Sequence, residues 1–133
     1  MAGLSGLITN FHLLPINMFF LNRSDLARLN PGLFSWEGQF TILLWGAAYY
    51  AAGCDDTRGP IWLVFAAEKA FYVLSWAKWH MNHDGVGLLT KAVKRAVETK
   101  DPRGVASPIF HCGYGIVDAV YFVIFVNVWL DRK

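Results

Sequence analysis

Apolar residues fill positions 109–130 almost without interruption, and the one charged residue inside that run is Asp118. A second run, 60–79, is crossed near its middle by Glu68 and Lys69. Two more stretches have the same character: 35–53, and a weaker one at 4–21 that Asn10, His12, Pro15 and Asn17 dilute. About 20 helical residues at about 1.5 Å each span the ~30 Å hydrocarbon layer of a bilayer. Ionisable groups at that depth are costly, so they pair, face a polar cavity or carry a function. The pattern therefore predicts an all-α, integral membrane four-helix up-down-up-down bundle. Its helices run over about 4–21, 35–53, 60–80 and 107–130, within one transmembrane domain covering 1–133.

Local signals agree. Pro60 and Pro108 stand where a helix begins and a missing N–H is harmless, with Ser107 as N-cap of the last helix. Connections such as 54–59 are short, which favours antiparallel neighbours. In the first segment, neighbouring helices must re-satisfy the backbone that Pro15 frees. Residues 1–21 have no basic n-region, and the first Lys or Arg is Arg23, on the wrong flank for a secretory signal; this helix is expected to be retained. Aromatic residues fall into two levels under this topology: Trp36, Trp76, Trp79 and Tyr114 at one, and Tyr49, Tyr50, Trp62 and Trp129 at the other. Such levels predict interfacial belts. Ala47/Ala51, Ala48/Ala52 and Gly115/Ala119 are small-xxx-small pairs suited to close helix contact or to self-association.

The loop 81–106 is more than a connector. Val86, Leu89, Val93 and Val97 recur at helical spacing, with Lys91, Lys94 and Arg95 on the other face. This predicts an amphipathic interfacial helix over about 85–99 that offers its cations to anionic lipid. Basic residues cluster on that side (Arg23, Arg28, Lys78 and the loop), leaving Arg58, Arg132 and Lys133 on the other. The positive-inside tendency puts the basic loop in the cytoplasm, matrix or stroma, and both termini on the outer or lumenal side.

Composition sharpens the class. Of 133 residues, 55% are hydrophobic and 17% charged, against about 25% charged in ordinary soluble domains. A net charge of +2 gives no footprint for nucleic acid. The two cysteines, Cys54 and Cys112, fall near opposite ends of the bundle, beyond the ~7 Å Cα separation a disulfide allows.

Counting depth from the basic side, Asp118 lies roughly 15 Å in, Glu68 and Lys69 roughly 17 Å and His12 roughly 13 Å. Three helices thus bring four ionisable groups to one level. Glu68, Tyr72, Ser75, Trp79 and His83 share one helical face, and His111, Tyr114, Asp118 and Tyr121 another; facing each other, these stripes make a polar track from the midplane to the basic side. Candidate ligand- or proton-binding residues are His12, Glu68, Lys69, Asp118, Tyr72 and Tyr121. At the basic end, His80, His83 and His111 are the side chains a transition metal would take, although no standard spacing supports one and no cofactor is expected. Without a nucleophile–base pair or phosphate loop, the sequence leans away from catalysis. It favours a non-catalytic subunit, assembly or interaction component with other transmembrane partners. Two alternatives stand beside this: a proton-, ion- or solute-translocating protein using the midplane cluster, and an enzyme or binding protein for a lipid- or sterol-like molecule.

Overall fold

Glycines bring the first two helices together. The computed structural model describes residues 2–11, 28–54 and 59–131, with the backbone alone at 102 and 103. Helix α1, Ala2–Phe11, runs antiparallel to α2, Trp36–Cys54: Gly3 lies against Tyr49 and Gly53, and Gly46 against Asn10 and Leu7. A Cβ at Gly46 would stand 2.9 Å from Asn10 Cβ, and one at Gly53 3.1 Å from Gly3 Cα. Contact this close lets the two backbones gain van der Waals attraction that side chains would otherwise block.

Helix α3, Ile61–His83, and helix α5, Ala106–Asp131, form a second antiparallel pair. Here too a glycine opens the contact, since a side chain on Gly115 would run into the Trp76 indole. Between α3 and α5, Asp84 in the left-handed region ends α3 and caps the short helix α4, Gly85–Thr99, by accepting from Gly87 N–H at 3.2 Å. Lys100, also left-handed, ends α4, and a 3₁₀ turn, Pro102–Val105, leads into α5.

The two pairs meet through large side chains rather than backbones. At one end Tyr49, Trp62, Phe65, Tyr121 and Phe125 form an aromatic cluster, with Tyr49 and Phe65 edge to face at 4.8 Å between centroids. At the α4 end Phe34 and Tyr114 pack with Trp76, Phe110, Leu33 and Ile42. The polar layer lies between these clusters.

The described residues are all-helical, without strands, as the sequence predicts. One helix among them, Ala106–Asp131, is long and apolar enough by itself to cross a membrane. The expected continuation of α1 to residue 21, and His12 with it, lies outside the described residues. Helix α3 runs three residues past the expected end at 80.

Two expectations are corrected. Ser107 is not an N-cap: the 3₁₀ turn lets α5 begin at Ala106, and the Ser107 hydroxyl makes no capping bond. Of the small residues, Ala47 and Ala51 face outward, and Gly46 and Gly53 lie in the α1–α2 contact. The aromatic levels are not interfacial belts throughout, because Tyr49, Trp62, Trp79 and Tyr114 are buried in the bundle, while Trp36 and Tyr50 face outward. Counting residues along a helix gives depth; it does not give the direction a ring points.

Candidate functional site: a cavity closed by a buried ion pair

Successive residues of a helix are turned about 100° apart, so Glu68 and Lys69 cannot both point squarely at Asp118. Lys69 reaches α5, where its Nζ donates to Asp118 Oδ1 at 2.8 Å. It also donates to Asn10 Oδ1 of α1 at 3.5 Å and stands 5.2 and 5.7 Å from the ring centroids of Tyr49 and Tyr72. Both rings present π-faces to the ammonium. Glu68 instead turns to α2 and accepts from the Tyr49 hydroxyl, with Lys69 Nζ at 3.8 Å from its Oε2. Asn10 is itself fixed by donating to the Ile42 carbonyl at 2.8 Å. One lysine thereby ties α1, α3 and α5 together, and Tyr49 adds α2.

The layer is sheltered. Lys69 is only 3% exposed, and the side chains of Glu68 and Asp118 are 7% and 13% exposed. Formally it holds two carboxylates and one ammonium.

Above the layer, towards the α4 end, a cavity of about 490 Å³ separates the two helix pairs. Its walls are apolar: Leu33, Phe34, Ile42, Ile109, Phe110 and Val117. Its polar atoms gather at one pole, from Thr9, Asn10, Lys69, Tyr72 and Asp118, with Tyr114 on the side. Gly113 lines it as well, and a Cβ there would meet nothing within 4 Å. An apolar pocket of some 300–1,000 Å³ with a few convergent polar groups is the usual form of a small-molecule site.

Of the residues singled out from sequence, Glu68, Lys69 and Asp118 come together, and Tyr72 joins them at the cavity pole. Tyr121 does not. Its hydroxyl pairs with Thr9 Oγ1 at 2.7 Å and its ring packs on Phe125 in the aromatic cluster. His83 stacks on one side of Trp79 at 5.2 Å between centroids and bonds to the Trp79 carbonyl, while His111 packs on that indole edge-on at 3.9 Å. The indole of Trp79 thus contacts both imidazoles, and among the described residues no group of three His, Cys, Asp or Glu gathers as a metal set would. Sequence reasoning missed Asn10 and Tyr49. Asn10 reads as a dilution of a weak helix and Tyr49 as a belt residue, yet both fall at the depth where a charged layer needs hydrogen-bonding partners. Cys54 and Cys112 are both free thiols; Cys112 Sγ donates to the Gly85 carbonyl at 3.2 Å.

No protein-family model, curated protein or solved structure matches the chain.

Proposed function

We propose that the chain is a multi-pass membrane protein that binds a lipid-soluble molecule carrying one polar group, seated in the cavity with that group on Lys69 and Asp118. The membrane placement draws on an inverted surface. Lys69 points inward at 3% exposure, while two and five residues further along the same helix Phe71 and Leu74 face outward at 67% and 69%. On α5, Asp118 turns inward while Ile116 and Val120 face out. Water-soluble helices keep charge outside and apolar side chains inside, so this pattern suits lipid. Helices of 19, 23 and 26 residues reach about 28, 34 and 39 Å, close to or beyond the ~30 Å hydrocarbon layer, which supports α2, α3 and α5 as crossings.

The observation that carries the ligand reading is the cavity itself: apolar walls closing on a buried, already paired ammonium and carboxylate. Such a pole offers both a donor and an acceptor, which fits a hydroxyl, carbonyl or amide at the end of an apolar body. The chemistry is binding. A subunit role, favoured by the sequence, finds support in the same outward apolar faces, which a partner helix covers as well as lipid does. In this reading the α4 end lies at the cytoplasmic, matrix or stromal surface, and Lys91, Lys94 and Arg95 meet anionic lipid there.

The test is to purify the chain in mild detergent and identify its organic-soluble contents by mass spectrometry, beside the variant Gly113→Leu. Leucine at 113 enters open space, so the fold is expected to persist while occupancy falls at least tenfold. Equal contents in both proteins, or none in either, would overturn the ligand reading.

A further inference from the structure

Six buried side-chain polar atoms have no hydrogen-bond partner among the described residues: Glu68 Oε1, His80 Nε2, Ser107 Oγ, both ring nitrogens of His111, and Tyr114 OH. All lie in the charged layer or between it and the α4 end. None belongs to the opposite half, where Tyr49, Trp62, Phe65 and Phe125 are at most 2% exposed and pack ring against ring. The two hydroxyls of that aromatic cluster are taken, Tyr49 by Glu68 and Tyr121 by Thr9.

On α5 the unpartnered groups follow one face. Ser107, His111, Tyr114 and Asp118 are spaced by four, three and four residues, a stripe that climbs about 16 Å from the start of the helix to the ion pair. Burying a hydroxyl, an imidazole and a phenol without partners is costly, and buried water is the usual remedy. Each of these groups both donates and accepts, which a chain of proton hops requires.

We propose that Ser107, His111 and Tyr114 form a hydrated relay that brings protons from the α4 end to the Glu68–Lys69–Asp118 layer, and that the aromatic half closes the layer to the other end. A proton taken from water at the α4 end displaces one from each group in turn and comes to rest on a carboxylate. The layer passes from one formal negative charge to none, and nothing else changes. The groups facing His111 are few. From α3 come Trp79, in ring contact, and His80 and His83, near enough to act through their charge; from the segment before α2, Phe34; on its own helix, Tyr114. No carboxylate among the described residues touches its ring, so His111 passes protons on rather than holding them.

The relay rests on the membrane placement and not on the ligand. The test uses the full chain in sealed vesicles, with orientation scored by labelling exposed Cys54 at the far end using an impermeant thiol reagent. A pH jump is applied to one side, and the carboxylic-acid C=O infrared band, assigned by its loss in Asp118→Asn and Glu68→Gln, is followed in time. Acid on the α4 side is expected to produce the band, and Ser107→Ala, Tyr114→Phe and His111→Phe each to slow it tenfold or more. Removing an unpartnered polar atom in favour of an apolar one of similar shape leaves the fold intact. Unchanged rates in all three variants, an equal response to acid from the Cys54 side, or no carboxyl response in the folded protein would overturn the relay. A chain that alkaline washing strips from the vesicles would remove the membrane placement, and the relay with it.

Discussion

Replacing Lys69 by methionine removes the ammonium that faces two carboxylates and leaves Glu68 and Asp118 as two acids in one sheltered layer, with Asn10 Oδ1 stripped of its donor. Taking one partner from a buried ion pair destabilises by about 3–5 kcal/mol, mostly because the other charge stays behind without compensation. Asp118→Asn acts differently. The amide oxygen still accepts from Lys69, and Glu68 at 3.8 Å still balances its charge, so the layer becomes formally neutral. The loss there is that of one interhelical polar contact, about 1–2 kcal/mol. Combining the two substitutions removes both members of the pair, so the double variant is expected to be more stable than the sum of the singles predicts by about 1–3 kcal/mol. Reversible unfolding in mixed detergent micelles measures all four proteins. Lys69→Met costing no more than Asp118→Asn, or strict additivity in the double variant, would refute the idea that charge balance in this layer governs its stability.

Other consequences follow from the close contacts. Gly113→Ala, in open space mid-helix, is expected to stabilise by about 0.5–1 kcal/mol, whereas Gly115→Ala, aimed into the Trp76 indole, destabilises by about 1–3 kcal/mol; thermal melting in detergent ranks the pair. Gly46→Val pushes α1 off α2 and is expected to destabilise by about 1–3 kcal/mol, read from the same thermal melting. Cys54, exposed beyond the aromatic half, is expected to react with an impermeant maleimide from one side of sealed vesicles, and Cys112, half-buried near α4, to resist it from that side.

The all-helical class was legible because helical periodicity and long apolar runs are one-dimensional signals. The charged layer was legible for a related reason, since depth along a helix is residue number times rise, and Glu68, Lys69 and Asp118 come to one level by arithmetic. What arithmetic could not supply was azimuth. That Lys69 turns to Asp118 and Glu68 to Tyr49 depends on how α3 is rotated, which residue number does not give. The α1–α2 contact was missed because Gly46 and Gly53 are seven residues apart, two turns, and a search for small residues at four-residue spacing skips them. The cavity had no sequence signal, because it is the space left where the helix pairs are held apart by Phe34, Tyr114 and their neighbours.

The central claim is that charge lies inside this bundle and lipid outside it. Nitroxide spin labels at Phe71, Leu74 and Val120, one at a time in reconstituted vesicles, test it most directly by their collisions with oxygen and with a water-soluble nickel chelate. The account predicts high oxygen and low nickel accessibility at all three, with Val120 and Phe71, flanking the Lys69–Asp118 level, the deepest. Free access of the nickel chelate to those positions would contradict it.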